Sequence, residues 1–125
     1  MNWIAVAIGG ALGAMARYGV STLVFDASSQ RFPYATLSVN VLGSFLMGIL
    51  FVVIAEKGLL PPEMRSILMV GFLGAFTTFS TFSLDALGLW QNGHLLLALV
   101  YALGTVVLCL AAISVAVWLT RLFLI

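Results

Sequence analysis

A stretch near the middle of the chain, GAFTTFSTFS at positions 74–83, combines two kinds of side chain that can act on an ion. Its three phenylalanines are spaced three residues apart, and an aromatic ring is positive at its edge. Ring edges beside hydroxyls predict a path on which a small anion exchanges water for protein contacts. The pattern equally fits rings that fill a core and hydroxyls that bond back to their own helix. The hydroxyl residues are Thr77, Thr78, Ser80, Thr81 and Ser83.

The rest of the chain places this stretch inside a membrane. Of 125 residues, 63% are hydrophobic and 7% are charged, whereas a soluble domain is about half apolar and a quarter charged. Four apolar runs are long enough to cross a bilayer, at about 3–25, 34–55, 64–90 and 95–124. Short connectors with turn residues separate them. The prediction is one all-α integral membrane domain over residues 1–125, with four transmembrane helices, in a multi-pass arrangement.

The third run is predicted to be a broken helix. It is longer than one crossing needs, and Gly71, Gly74 and the β-branched threonines weaken helical structure there. Non-helical backbone at membrane depth is tolerated only where it is buried in protein or lines a wet cavity. Carbonyls freed at such a break can coordinate a cation, and freed N–H groups can face an anion.

Four further polar residues lie in or near the predicted spans. Asn40 is either a bond between helices or a donor that faces a solute path. Arg17 either reaches toward the membrane surface or faces a cavity. Asp85 is expected to be solvated near the surface. Tyr101 fits an interfacial anchor and a pathway residue equally well.

Small residues four apart predict close packing of helices. Gly9 and Gly13 form such a pair in the first span, and Ser44 and Gly48 form one in the second. Gly71 begins a third pair, with the alanine at position 75. These pairs serve any tightly packed bundle, so they indicate architecture rather than a particular function.

The basic residues give almost no orientation signal. One membrane face carries Lys57, Arg65 and Arg121, and the other carries Arg17 and Arg31. Because orientation normally follows a clear excess of such residues on one side, two alternatives remain. Either copies insert both ways and pair antiparallel, or a small excess suffices. The net charge of +1 gives no reason to expect a nucleic-acid partner.

Three segments give the chain a specific resemblance. They are IGGALGAMARY near the start, TLSVNVLGS in the second span and GFLGAFTTFSTFS in the third. The whole chain resembles the bacterial fluoride channel family (Fluc, also called CrcB). That resemblance implies passive export of fluoride across the cell inner membrane, which lowers cytoplasmic fluoride and its toxicity. It also implies an antiparallel dual-topology homodimer with two pores and a structural sodium ion at its centre.

The resemblance also implies residue roles. Backbone carbonyls of Gly74 and Thr77 would hold the sodium ion, and Arg17 would attract anions to the vestibule. The fluoride pathway would comprise Asn40, Phe79, Phe82, Ser80, Thr81, Ser83 and Tyr101. Many relatives have two glycines where this chain has Gly74 followed by Ala75, so the shape of the break is open at that point.

Three other function classes fit the sequence less well. A small proton-coupled multidrug exporter needs a carboxylate in its first span, and this span carries Arg17 and no acid. A non-transporting membrane subunit would account for the small-residue pairs but not for the hydroxyl cluster. An enzyme is not expected, because His94 stands alone in a connector without a nucleophile or ligand partner.

Overall fold

The computed structural model describes residues 2–24 and 32–125. In those residues, four helical segments are long and apolar enough to cross a membrane: Asn2–Leu23, Tyr34–Glu56, Arg65–Gln91 and Leu95–Phe123. The all-α class with four spans is confirmed. The predicted end of the first span at residue 25 lies outside the described residues, as does Arg31. Where the bounds can be compared, they differ from the predicted ones by at most one residue.

The segments contain five α-helices and three stretches of wider π-helical turn in the described ranges. Helix α1 (Asn2–Gly19) and helix α2 (Tyr34–Leu50) each continue as a π-helical end. The third segment begins as a π-helix at Arg65–Leu73 and ends in the short helix α3 (Gly74–Phe76). Helix α4 (Phe79–Gln91) follows after a break, and helix α5 (Leu95–Phe123) is the longest.

Glycines allow the first and third segments to touch at their backbones. A Cβ atom at Gly9 would collide with the carbonyl oxygen of Ile67, and one at Gly13 would collide with the carbonyl of Phe72. A Cβ at Gly71 would lie 3.0 Å from the carbonyl oxygen of Val6. Without side chains between them the two segments pack tightly, as the small-residue pair in α1 predicts.

Helices α2 and α5 meet in a similar way, nearer one end of the bundle. A Cβ at Gly48 would lie 2.7 Å from the carbonyl oxygen of Ile113 and 2.9 Å from the side chain of Ala116. Beyond this crossing, Arg121 Nε donates to Glu56 Oε1 at 2.9 Å and ties the ends of the two segments together. A cavity borders both helices next to this crossing.

Candidate functional site

The third segment is interrupted at two residues. Thr77 has φ −89° and ψ 159°, and Thr78 has φ −153° and ψ 121°, so both are extended. Gly43 in α2 makes room for this turn, because a Cβ there would collide with the methyl group of Thr77. The predicted break is therefore confirmed, and it lies in the middle of the segment that runs from residue 65 to residue 91.

Asn40 holds the break through its side-chain amide. Its Oδ1 accepts from the backbone N–H of Thr78 at 2.8 Å, and its Nδ2 donates to the carbonyl oxygen of Thr78 at 3.0 Å. Such a pair satisfies both polar groups of one residue that has left the helix, which membrane depth requires. Asn40 therefore bonds one helical segment to another, as the first alternative predicts, and it is buried and also lines a cavity.

Two carbonyls lose their usual helical partners at the break. In a continuous helix, the Gly74 carbonyl would accept from the N–H of Thr78, but that N–H donates to Asn40. The Thr77 carbonyl would accept from the N–H of Thr81, but that N–H donates to Thr78 Oγ1 at 3.2 Å. The two carbonyls that the resemblance assigns to a cation are thus among those that the break frees from helical hydrogen bonds.

A third carbonyl at the break is bound by Arg17. Its Nε donates to the carbonyl oxygen of Ala75 at 3.0 Å, across 58 positions of the chain. The Arg17 side chain also borders a small cavity of about 70 Å³. Of the two alternatives for Arg17, the structure shows the one in which the side chain borders a cavity. Hydroxyl residues dominate the polar lining of this cavity: Ser21, Thr36, Thr78 and Thr81.

The hydroxyls of the cluster act in different ways. Thr77 Oγ1 and Ser83 Oγ donate to carbonyls four residues earlier in the chain, at 2.9 and 3.0 Å. Thr78 caps the start of α4, and its hydroxyl lies 3.4 Å from that of Ser80. Thr81 borders the Arg17 cavity and a larger neighbouring one. Local bonding thus explains part of the cluster, while Thr81 faces open space.

The aromatic residues form a chain that runs from the surface into the core. Phe79 is 77% exposed and its ring lies 5.4 Å from that of Phe82, which is buried. The ring of Phe82 lies 5.1 Å from that of Tyr101. Tyr101 is 1% exposed, so the interfacial-anchor alternative for this residue is wrong.

Asp85 is less exposed to solvent than the sequence predicts, and it is hydrogen-bonded. It is half-buried, and its Oδ2 accepts from the hydroxyl of Thr36 at 2.7 Å and from that of Tyr101 at 3.4 Å. Its carboxylate borders a cavity of about 720 Å³ that Thr81 and His94 also line. The larger cavity and the Arg17 cavity share four lining residues, so together they form a vestibule beside the break.

On the other side of the break lies a cavity of about 360 Å³ between α2 and α5. Asn40, Phe79 and Phe82 line it, together with Thr105. Thr105 is 6% exposed, and its buried hydroxyl has no hydrogen-bond partner among the described residues. A buried hydroxyl without a partner costs free energy, and this one belongs to a residue of the cavity wall. We call this space the phenylalanine cavity.

Sequence reasoning missed Thr105. It stands alone in an apolar helix, where one threonine usually bonds back to its own helix, and no motif surrounds it. The spacing of four between Tyr101, Thr105 and Cys109 is the signal that places them on one face of α5. Among the pathway residues named from the sequence, Asn40, Phe79 and Phe82 line the phenylalanine cavity, whereas Ser80 and Ser83 do not.

Comparison with known proteins gives concordant matches. The family described as "CrcB-like protein, Camphor Resistance (CrcB)" matches residues 4–117. A "Fluoride-specific ion channel FluC" from Saccharophagus degradans is 58% identical over 119 residues, which cover 95% of this chain and 89% of the relative. Proteins of the same name from Hahella chejuensis and Magnetococcus marinus are 55% and 50% identical. The Hahella match covers 95% of this chain and 94% of the relative, and the Magnetococcus match covers 86% and 87%.

The family match covers nearly the whole chain, including the broken third segment and Asn40. The relatives align along most of their own length. The chain therefore belongs to the CrcB family.

Proposed function

We propose that this protein is a fluoride-selective channel. It lets fluoride leave the cytoplasm passively across the cell inner membrane and so lowers the toxicity of that ion. The observation that carries the proposal is the phenylalanine cavity, where an unpartnered buried hydroxyl lies with two phenylalanines beside a break in a transmembrane helix. The names of the relatives support fluoride as the ion.

The cavity offers fluoride weak contacts of several kinds. The Thr105 hydroxyl has its hydrogen to donate, and Asn40 Nδ2 carries a second hydrogen besides the one that binds Thr78. The ring edges of Phe79 and Phe82 add electrostatic attraction without full charge. Conduction requires binding that is favourable enough for entry and weak enough for release, and neutral donors meet both demands.

The vestibule supplies the attraction at the entrance. Arg17 is a permanent positive charge, and its hydrogen bond to Ala75 fixes it beside the break. Thr81 lines both cavities of the vestibule, the wide one and the small one beside Arg17. The fixed cation at the base of this space attracts small anions to the start of the pathway, against the repulsion of the Asp85 carboxylate that lines the wider cavity.

The working unit is proposed to be an antiparallel homodimer. In the single chain, Gly74, Phe79 and Ser80 are exposed, although all three lie near the middle of the third segment. Lipid cannot satisfy a freed backbone carbonyl or a serine hydroxyl at that depth. A second copy would cover this face, and the near balance of basic residues favours insertion in both orientations.

A sodium ion is proposed at the centre of that dimer. Hard cations prefer oxygen ligands, and the carbonyls of Gly74 and Thr77 have lost their helical partners. Two oxygens from one chain and two from a symmetry-related copy would make a four-oxygen set, so the donor chemistry fits the ion. Its positive charge would stabilise the freed carbonyls of both copies.

The deciding experiment is ion efflux from liposomes that contain the purified protein. Vesicles are loaded with fluoride or chloride, and release is followed with an ion-selective electrode. We expect rapid release of fluoride and little release of chloride. Phe82→Ile removes the buried ring and should slow fluoride strongly. Phe123→Ile alters a ring that is 87% exposed at the end of α5, so it serves as the matched control.

Each outcome separates the candidates. Release of neither ion by folded protein would favour a non-transporting membrane subunit. Equal release of both ions would keep a pore and reject selectivity for fluoride. Insertion is tested separately with Lys57→Cys in a Cys109→Ser background, because Lys57 is exposed beyond the second segment. An impermeant thiol label added outside should reach about half of the copies, and labelling of all or none would reject dual topology.

A further inference from the structure

The wall of the vestibule includes the chain's single histidine. His94 is half-buried and lines the wide cavity of about 720 Å³ together with Asp85. Histidine is the side chain that ordinarily changes its charge between pH 5 and pH 8. Its position in a space that anions are proposed to enter therefore gives the wall a charge that depends on pH.

A tight turn between α4 and α5 holds His94 in place. Gly93 has φ +83°, a left-handed conformation that glycine adopts without strain. The backbone N–H of His94 donates to the carbonyl oxygen of Leu89 at 2.8 Å, and its carbonyl accepts from the N–H of Ala98 at 2.9 Å. His94 is the N-terminal cap residue of α5, but its side chain makes no capping bond. The backbone is thus fixed, and capping does not occupy the imidazole.

The same turn orders the charges along the vestibule. Leu89, which binds the His94 backbone, lies one turn beyond Asp85 on α4, about 6 Å along the helix axis. Asp85 belongs to the third span, whereas His94 lies in the connector that follows it. Arg17 lines the small cavity beside the break and not the wide one. From the membrane surface inward, the order is therefore His94, Asp85 and Arg17.

These charges act on an anion in opposite directions. The Asp85 carboxylate repels an anion that enters the wide cavity, and Arg17 attracts it from deeper in the protein. A protonated His94 adds a positive charge to the wall that carries the carboxylate, so the two charges offset each other. The cavity is roughly 10 Å across, close to the Debye length of about 8 Å at physiological ionic strength, so a charge on its wall acts across it.

Few other titratable groups face His94 in the part of the chain that the structure describes. Besides Asp85, the wide cavity is lined by one more titratable residue, Tyr34, and phenols are uncharged near neutral pH. Helix α4 carries no charged residue other than Asp85, and Arg121, the charged residue of α5, lies near the far end of that helix. The imidazole is therefore the group of this wall that ordinarily changes charge near neutral pH.

We propose that His94 is a pH-dependent anion-attracting residue at the entrance of the vestibule. On acidification, one proton moves from water to the imidazole, and the new charge cancels the repulsion of Asp85. Fluoride then enters the vestibule faster. The effect on entry rests on the proposed function, whereas the electrostatic coupling between the entrance and Asp85 does not.

The first measurement is fluoride efflux from liposomes at about pH 6 and about pH 8, with the same pH on both sides. Fluoride is kept low so that entry limits the rate, and release from protein-free vesicles is subtracted because hydrogen fluoride crosses lipid. We expect efflux to be about two- to fivefold faster at the lower pH. His94→Gln should release fluoride at equal rates at the two pH values. His94→Lys carries a charge that does not titrate in this range, so its rate should be high at both.

The second measurement tests the coupling without ion flux. His94→Cys in a Cys109→Ser background leaves one thiol, at the entrance, in the full-length protein in detergent. The ratio of its reaction rates with an anionic and a cationic thiol reagent reports the local potential. Asp85→Asn removes the negative charge and keeps an oxygen that can accept from Thr36, and it should raise this ratio about two- to fivefold. Glu63→Gln, at an exposed position before the third segment, should leave the ratio unchanged.

The outcomes separate the two proposals. Equal wild-type rates at the two pH values would overturn the role of His94, and so would a pH dependence that persists in His94→Gln. An unchanged reagent ratio in Asp85→Asn would show that the carboxylate does not act on the entrance and would overturn the coupling. Absence of fluoride efflux at either pH would contradict the proposed channel function, while the reagent ratio would still test the coupling.

Discussion

The two halves of the third segment differ in what they contact. The first half, from Arg65 to Phe76, lies against α1 with glycine at the contact, and its freed carbonyls lie only at its end beside the break. The second half, α4, begins with an exposed Phe79 and borders three cavities. The first half fixes the position of the segment, and the second half borders the cavities that are proposed to hold the ion. The change between the two roles occurs at Thr77 and Thr78.

The largest expected effect comes from removal of the bonds that join the halves. Asn40→Ala deprives both the N–H and the carbonyl of Thr78 of their partners at membrane depth. We expect a loss of on the order of 3 kcal/mol in stability, together with loss of fluoride efflux. Thermal unfolding in detergent and liposome efflux measure the two effects.

Asn2→Ala, at an exposed position at the start of α1, is the control for the Asn40 variant. An Asn40→Ala protein that melts like the wild type would show that the break is stable without the Asn40 bonds. In that case the division between an anchored half and an open half would not depend on α2.

The next effect tests the anchored half alone. Gly13→Ala places a methyl group against the Phe72 carbonyl, so α1 and the third segment must move apart. Overpacking of this kind costs about 1–3 kcal/mol, which thermal unfolding would register. At Gly10 a Cβ would be 3.9 Å from the nearest backbone oxygen across the interface, so Gly10→Ala should be neutral or slightly stabilising. Equal melting of the two variants would contradict the close approach.

The smallest effect on stability is expected for a residue of the phenylalanine cavity. Unlike the two variants above, this one should not lower stability. Thr105→Val removes a buried hydroxyl that has no partner, so stability should stay equal or rise by up to about 1 kcal/mol. Fluoride efflux should nevertheless fall, because a donor to the ion is lost. Thr120→Val removes a hydroxyl that donates to Ala116 at 2.6 Å, and it should lower stability slightly without slowing efflux. Unchanged efflux in Thr105→Val would exclude that hydroxyl from the path.

Local sequence features predicted the break well because its causes are local. Glycine, β-branched threonine and an excess of length act within a few residues. The assignment of the Gly74 and Thr77 carbonyls to a cation stays a prediction. The four spans were equally accessible, since continuous hydrophobicity over about 20 residues is rarely found outside membrane-spanning helices.

Other parts of the site were not accessible from the sequence, because they depend on contacts between distant residues. The Asn40–Thr78 bonds join positions 38 apart, and the sequence around Asn40 does not predict its partner. Asp85 has Thr36 and Tyr101 as partners, which only the packing of α2, α4 and α5 brings together. Thr105 could not be distinguished from any helix-bonded threonine until its surroundings were known. The assignments of the ion-pathway residues remain predictions: Asn40, Phe79, Ser80, Thr81, Phe82, Ser83 and Tyr101.

The contact between α1 and the third segment has a consequence for biosynthesis. Arg17 and the carbonyl that it binds are 58 positions apart, with all of α2 between them. At a synthesis rate of about 5–20 residues per second, the arginine waits roughly 3–12 seconds for its acceptor. Until the third segment is made, the glycine face of α1 lacks the backbone that it contacts in the folded protein. The packing of α1 is therefore completed only late in synthesis, and a chain that stops before residue 65 cannot form it.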